Sequence, residues 1–248
     1  MLTSKSKDEI ALMKEAGRIC SLAQKAVEDA IKPGITTLEL DAIAHKKIVE
    51  LNAVPSFINF EGFKYSICAS INEECVHGIP SNRQLKNGDI ISIDLGACYS
   101  GYHGDCSRTY PVGQVGKKEL KLINITKESL YVGLKYAKPG NRLSDISHAI
   151  YEFVTANNYN IVEELTGHGI GKKLHEVPTI YHYGAAGKGP ILREGMTFAI
   201  EPVVVEGSNE ITLKDDNFTI VTKNLNLASH YEETLVITNN GYEILTKH

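Results

Sequence analysis

KPGITTLE, at residues 32–39, divides the N-terminal part of the chain into two helices, because it ends one helical pattern and begins another. Proline and glycine stop the first helix, and Thr36 with Glu39 forms a capping-box pattern that starts the second. The break recurs as Lys138-Pro139-Gly140, about 106 residues further along (position 32 to position 138), again between helical patterns. A spacing near half of the 248 residues favours an internal duplication, although a chance match of so short a motif stays open.

Apolar residues recur at helical spacing on both sides of each break, and four helices are therefore predicted. The first follows Ser6 and Glu9, a further capping-box pair, and ends at the first Lys-Pro-Gly. The second ends before Val54-Pro55, the third covers about residues 120–137, and the fourth runs from Leu143 to Val154. Each half of the chain therefore opens with a pair of helices.

Short runs rich in β-branched and aromatic residues follow each helix pair and predict strands. They lie at residues 65–71, 89–99 and 105–112, and then at 161–165, 196–205, 218–222, 231–238 and 242–245. These patterns predict an α+β fold, in which helices pack over one face of a strongly curved antiparallel sheet and the other face forms a cleft. Alternation along residues 91–95 places Asp94 and Ser92 on the cleft face.

Length, charge and cysteine content exclude several classes of protein. The 248 residues, 42% of them hydrophobic, allow one domain or two small ones, and a net charge of −4 without a long basic run gives no footprint for specific nucleic-acid binding. No segment approaches the ~18 consecutive apolar residues of a membrane span, and the N-terminus lacks a signal peptide, so a cytoplasmic location is expected. Five cysteines without a C-x-x-C pair indicate neither a disulfide framework nor a thiolate zinc site.

Five side chains with hard-ligand chemistry each lie in a short segment marked by glycine or proline. They are Asp94, Asp105, His168, Glu201 and Glu232. If they converge, a summed charge of about −4 requires protons or cations, because like charges at close range are unfavourable. Two divalent ions would neutralise them, and ions ~3.5–4 Å apart are typical of enzymes that hydrolyse amide or phosphate bonds.

A family resemblance covers essentially the whole chain. It is carried by NEECVHGIP at 72–80, DLG at 94–96, GYHGD at 101–105, TGHGIG at 166–171, LHEVP at 174–178, IEP at 200–202 and Glu232. In order and spacing these motifs resemble the type I methionine aminopeptidases. The resemblance implies a pita-bread (creatinase/aminopeptidase) fold with pseudo-twofold duplicated halves. It also implies one catalytic domain over residues 1–248, with halves near 1–115 and 116–248.

The family's chemistry is removal of the initiator methionine from nascent chains when the next residue is small, with two divalent ions (Co, Mn, Fe, Ni or Zn). By resemblance all five candidates bind metal, with Asp105 and Glu232 bridging. Glu201 is also implied as the proton carrier, His175 as the donor to the scissile carbonyl oxygen, and His77 as a contact to the scissile amide. The other histidines are interpreted as structural: His45, His103, His148, His182, His230 and His248.

Alignment on His77 and Glu232 implies an apolar pocket for the methionine side chain. Its expected lining is Phe57, Phe60, Phe63, Cys68, Leu174 and Phe218. The three phenylalanines at 57–63 also fit a hydrophobic core, and this alternative stays open. The resemblance further implies a monomer that meets nascent polypeptides, with a transient ribosome contact and no membrane.

The chain departs from the family's pattern at two positions. Glu233 stands where the family usually has histidine, and it is expected either on the outer face of its strand or near the metal. Gly96 stands where threonine is frequent. Two other functions remain as alternatives: an Xaa-Pro aminopeptidase, which would share the ligand set, and a non-catalytic pita-bread binding module, which would typically have lost ligands.

Overall fold

The computed structural model describes residues 4–247, and its helices agree with the predicted four. These are α1 (Lys7–Ala30), α2 (Thr37–Glu50), α3 (Lys117–Leu134) and α4 (Leu143–Ala156), with a short 3-10 turn at Phe60–Gly62. Both predicted capping boxes are present, because Ser6 and Thr36 each accept a hydrogen bond from the backbone N–H three residues later. No helix in this part of the chain is long and apolar enough to cross a membrane.

The strands are short except for two of ten residues each. They are β1 (Val54–Pro55), β2 (Ile67–Ile71), β3 (Glu74–Val76), β4 (Ile90–Tyr99), β5 (Tyr102–Pro111), β6 (Asn160–Ile161), β7 (Gly167–Gly169), β8 (Glu176–Ile180), β9 (Thr197–Ile200), β10 (Val203–Val205), β11 (Ile211–Leu213), β12 (Ile220–Thr222), β13 (Ala228–His230), β14 (Glu232–Ile237) and β15 (Tyr242–Ile244). The run predicted at 196–205 is divided into β9 and β10 by Glu201 and Pro202, and only Ile161 of the run predicted at 161–165 is in a strand.

The main sheet is antiparallel and contains strands from both halves. Its order is β1-β4-β5-β14-β9-β7-β8, with β2 added on β4 and β15 on β14. The halves join where β14 pairs with β5, with Glu232 opposite Ser107. Two smaller three-stranded sheets, β13-β10-β6 and β11-β12-β3, complete the fold. The predicted α+β class with an antiparallel sheet is confirmed.

One hydrophobic core lies under each helix pair. In the first half, Ile93 and Leu95 of β4 pack with Ile19 of α1 and Leu40 of α2. In the second half, residues of α3 and α4 pack on β9 and β14, and Phe198 is fully buried among them. Since alternate strand residues face opposite ways, the sheet face away from the helices is left for polar groups.

Matching backbone contacts follow the two Lys-Pro-Gly breaks. The Gly34 N–H donates to the Leu85 carbonyl at 2.8 Å, and the Gly140 N–H donates to the Leu192 carbonyl at 3.1 Å. Both glycines have φ near +90°, which favours glycine at these turns. The strands that follow share the pattern L-x-x-G-x-x-x-x-I-acid, at residues 85–94 and 192–201. These equivalences support the predicted duplication.

Candidate metal centre

Neighbouring strands of the main sheet carry the five predicted ligands to one place. Asp94 lies on β4, Asp105 on β5, Glu232 on β14 and His168 on β7, while Glu201 directly follows β9. These are the five central strands of the order β4-β5-β14-β9-β7. All five side chains line a single cavity of about 510 Å³. Sheet topology therefore assembles residues that are far apart in sequence.

The possible ligand atoms form three overlapping groups. They are Asp94, Asp105 and Glu232; His168, Glu201 and Glu232; and Asp105, His168 and His175, and within each group the atoms lie within 4.8 Å of one another. His168 Nε2 lies 3.4 Å from Glu201 Oε1 and 3.9 Å from Asp105 Oδ2. Glu232, Asp105 and His168 each belong to two of these groups, so the groups form one continuous cluster of donors that could hold a metal ion.

The carboxylates of the site must be neutralised by protons or by cations. Burial raises the pKa of Asp94 to about 7. Burial, reinforced by neighbouring carboxylates, also holds the pKa values of Asp105, Glu201 and Glu232 well above their usual range. One oxygen of each of these four carboxylates is buried without a hydrogen-bond partner among residues 4–247. No lysine or arginine is found in the described cavity lining. The donor set therefore fits divalent metal ions, which would satisfy the free oxygens.

His168 is oriented as a metal ligand by its own backbone neighbour. Its Nδ1 donates to the Gly169 carbonyl at 2.9 Å, and a carbonyl can only accept. The proton is therefore on Nδ1, and Nε2 presents its lone pair to the carboxylates. Burial lowers the pKa of His168 to about 3, so the imidazole is neutral at pH 7.

The two predicted catalytic histidines line the same cavity. His175 follows β7, and its ring lies 4.2 Å from that of His168 and 4.9 Å from that of Phe60. His77 follows β3 with φ of 59°, a left-handed conformation that is uncommon for a residue other than glycine. Burial lowers the pKa of each histidine, and both rings are therefore neutral near pH 7 with one N–H to donate.

Two histidines that sequence analysis treated as structural surround Glu201. His182 Nε2 accepts the backbone N–H of Glu201 at 3.1 Å, and His230 Nε2 lies 3.8 Å from Glu201 Oε2. Both rings are 1% exposed, and burial lowers the pKa of His182 to about 4 and that of His230 to about 3. No short sequence motif predicts these contacts, because they depend on how β13 and the segment after β8 fold over Glu201.

The remaining histidines have ordinary partners where the structure describes them. His45 Nδ1 lies 2.9 Å from Ser66 Oγ, and His103 Nδ1 lies 2.8 Å from Ser56 Oγ. His148 Nδ1 donates to the Gly184 carbonyl at 3.0 Å. His248 lies outside the described residues.

Every residue of the predicted apolar pocket lines the cavity. These residues are Phe57, Phe60, Phe63, Cys68, Leu174 and Phe218. The rings of Phe63 and Phe218 meet edge to face with centroids 5.5 Å apart. Cys68 of β2 pairs directly with Asp94 of β4, so the apolar end of the cavity adjoins the carboxylates. The lining that sequence analysis missed consists of Glu61, Val76, Glu164, Leu165, Thr166, Gly167, Glu176, Val177 and Thr179.

The structure accounts for both departures from the family's pattern. Glu233 is buried and forms an ion pair with Arg108, so it takes the outward alternative rather than joining the ligands. At Gly96, an added Cβ would lie 2.8 Å from Ser56 Cβ and 3.2 Å from the Gly104 carbonyl oxygen. Ser56 therefore occupies the space that a side chain at position 96 would need.

The chain is similar to known metallopeptidases in sequence and in structure. The profile of metallopeptidase family M24 matches residues 11–239. Methionine aminopeptidase 1 of Bacillus subtilis is 51% identical over 247 residues, covering 100% of both chains. A methionine aminopeptidase of Clostridium acetobutylicum is 47% identical, covering 99% of each chain. The crystal structure of methionine aminopeptidase from Thermotoga maritima superposes with a TM-score of 0.98 at 42% identity, covering 100% of both chains. Prolidase from Pyrococcus furiosus gives 0.81 at 26% identity, with 66% of that chain covered.

Proposed function

Because the chain belongs to metallopeptidase family M24, we propose that it is a metal-dependent aminopeptidase that removes the N-terminal methionine from polypeptides. The observation that supports this proposal is the 51% sequence identity to a methionine aminopeptidase over the full length of both chains. In this chain the strands also bring all five candidate ligands to one cavity. The pita-bread architecture is shared with the related methionine aminopeptidase and prolidase structures.

We further propose that the site holds two divalent ions, drawn from Co, Mn, Fe, Ni and Zn. The overlap of the donor groups supports this number, since Glu232 and Asp105 are carboxylates that each belong to two groups. Four carboxylates and one imidazole suit these ions, and the set contains no thiolate. When bound, such ions polarise a carbonyl and lower the pKa of water towards 7. Asp105 is the second proposed bridging ligand, because it lies near both Asp94 and His168.

The chain's own residues carry the proton transfers in this proposal. Glu201 takes the proton of the attacking water and returns it to the leaving amine. The backbone N–H of Glu201 donates a hydrogen bond to His182 Nε2. His175 donates its N–H to the carbonyl oxygen as negative charge develops there. His77 contacts the scissile amide or the residue after it. Neutral imidazoles at both positions, favoured by burial, leave an N–H available for these bonds.

Substrate selection is proposed to come from the apolar end of the cavity. Phe57, Phe63, Cys68 and Leu174 are each less than 9% exposed and form a dry slot for the methionine side chain. The substrate's amino group would lie at Asp94, which adjoins Cys68 in strand register. Small side chains are proposed for the second residue, because His77 and His175 also project into the cavity.

The organisation and setting of the chain remain predictions. We propose one catalytic domain over 1–248, with pseudo-equivalent halves near 1–115 and 116–248, supported by the matched contacts after Gly34 and Gly140. We also propose a cytoplasmic monomer that acts on nascent polypeptides during a transient ribosome contact.

The test compares peptides after the protein has been stripped of metal and reloaded with Mn or Co. Release of methionine from Met-Ala-Ser, with little cleavage of Ala-Pro-Ser, is the expected result. Preferential cleavage before proline would favour the Xaa-Pro alternative, to which the prolidase similarity gives some support. Absence of turnover with every divalent ion would favour a binding module. Glu201→Gln provides the inactive control.

A further inference from the structure

The N-terminal segment of the first half contacts the loop that carries His175 in the second half. The Lys5 N–H donates to the Gly195 carbonyl at 2.7 Å, which fixes the segment before α1 against the second half. The loop joins β7 to β8 over residues 170–175. Its Gly171 carbonyl accepts the backbone N–H of His103 at 2.9 Å. His103 of the first half therefore holds the loop, and the segment before α1 is held against the second half beside it.

Lys5 and Glu176 form the main polar contact between segment and loop. Lys5 Nζ lies 2.7 Å from Glu176 Oε2, and their side chains are only 8% and 21% exposed. The other carboxylate oxygen of Glu176 accepts the backbone N–H of Lys173 at 3.2 Å. Glu176 thus joins the loop's own backbone to a cation from outside it.

The lysine crosses directly over Gly171. A Cβ added at Gly171 would lie 2.3 Å from Lys5 Cε and 2.7 Å from Lys5 Nζ and Glu176 Oε1. The absence of a side chain at this glycine lets the aliphatic part of Lys5 pack on the loop backbone. Packing and charge therefore act on the same segment.

His175 directly precedes Glu176, and Glu176 pairs with Gly169 in the β7–β8 register. A fixed Glu176 therefore fixes the start of β8 and, with it, the backbone from which the His175 ring reaches the cavity. We propose that Lys5 is a positioning residue, which acts through Glu176 to hold the His175 imidazole where it meets the scissile carbonyl. This inference rests on the proposed function, since it assigns an indirect role in the same reaction.

An exposed ion pair would not have this effect. Lys14 and Glu243 also lie 2.8 Å apart, but their side chains are 48% and 47% exposed, and such pairs contribute little. Removing Lys5 instead leaves the partly buried carboxylate of Glu176 without its cation beside the loop at residues 170–175. Small displacements of a catalytic group have large kinetic effects, up to ~10²-fold for 1 Å.

The kinetic test uses Lys5→Met and Glu176→Gln, with Lys14→Met as the matched control, well below each unfolding midpoint. We expect kcat to fall about tenfold in both test variants, with KM for Met-Ala-Ser within about twofold and the control unchanged. In a His175→Ala background, Lys5→Met should lower kcat by less than about twofold more, because the group that it positions is gone. A wild-type kcat for Lys5→Met, or an equal loss in both backgrounds, would overturn the proposal.

A second measurement does not need turnover. In protein labelled with ¹⁵N-histidine, the His175 imidazole signals, assigned by their loss in His175→Ala, should shift in Lys5→Met and stay in place in Lys14→Met. Unshifted signals in Lys5→Met would refute the positioning role even if wild-type protein released methionine. If the signals shifted but the wild-type protein released no methionine, only the proposed function would be contradicted.

Discussion

Glu233 Oε1 lies 2.9 Å from Arg108 Nη2, and the two side chains are 2% and 5% exposed. Arg108 also donates to the backbone carbonyl of Glu232 at 2.5 Å. The carboxylate of Glu233 receives further hydrogen bonds from the hydroxyls of Tyr131 and Thr246. The negative charge of Glu233 is therefore neutralised by Arg108 on the side of β14 opposite the candidate ligand Glu232. Arg108, which lies on β5, also holds the backbone of Glu232.

Breaking this ion pair on one side should be costly. Arg108→Met leaves Glu233 buried without its cation, and we expect the free energy of unfolding to fall by about 3–5 kcal/mol. The double variant Arg108→Met/Glu233→Met should recover most of the loss, since two apolar groups replace two buried charges. Urea unfolding of the metal-free protein at pH 7 measures both.

The matched control for this experiment is Lys118→Met, which removes an exposed pair with Glu206. Its unfolding free energy should change by no more than about 1 kcal/mol. A similarly small loss in Arg108→Met would show that the buried pair does not stabilise the strand junction.

His175→Ala should lower kcat by on the order of 10²–10³, the effect of losing a donor to a developing oxyanion. Metal affinity should change little, because the five candidate ligands remain. Steady-state kinetics with Met-Ala-Ser, together with calorimetric metal titration, separates the two effects. His148→Ala, which removes a histidine that contacts the Gly184 carbonyl, is the control. An unchanged kcat in His175→Ala would refute the proposed role.

Asp105→Asn should weaken metal binding rather than catalysis alone. Asp105 is near Asp94 and Glu232 in one donor group and near His168 and His175 in another, and the substitution removes its negative charge from both of these groups. We expect the Kd for Mn to rise by more than about tenfold. Calorimetry measures it, with Asp29→Asn on α1 as the surface control. Wild-type affinity would argue against a position between two ions.

The two helix breaks and the convergence of the five candidate ligands were predictable from sequence for a physical reason. Lys-Pro-Gly imposes a local break whatever surrounds it, and the breaks at Gly34 and Gly140 are nearly identical in backbone geometry. The convergence of the candidate ligands was predictable because a carboxylate on or beside a buried strand, such as that of Asp94 or Glu201, is unfavourable unless a partner neutralises it. Their strands share a repeated pattern that sequence analysis did not detect.

Contacts between distant elements were not predictable in this way. The partner of Glu233 and the lysine over Gly171 arise where one half packs on the other. The surroundings of Glu201 arise within the second half, where His182 and His230 fold over it. Short polar strands were also missed, because β7 and β8 owe their pairing to the sheet rather than to propensity. Glu201 and Pro202 divided one predicted strand, since proline cannot donate to the ladder.

Glu9 provides a prediction of pH-dependent stability with a definite sign. Hydrogen bonds from the Ser6 backbone N–H and the Tyr102 hydroxyl lower the pKa of Glu9 to about 2 from an ordinary 4.5. A carboxyl whose folded pKa is depressed stabilises the fold fully above the unfolded value, and this contribution is lost as pH falls through the folded value. The stability difference between wild type and Glu9→Gln should therefore be constant from pH 7 to about 5 and should shrink between about 4.5 and 2.

Urea unfolding of metal-free protein at pH 7, 5, 4 and 3 measures this difference in unfolding free energy. We expect it to be about 1 kcal/mol at pH 7, which is typical of a helix cap. Glu152→Gln on the surface of α4 is the control, and a difference for Glu9→Gln that stayed constant down to pH 3 would contradict the capping interaction.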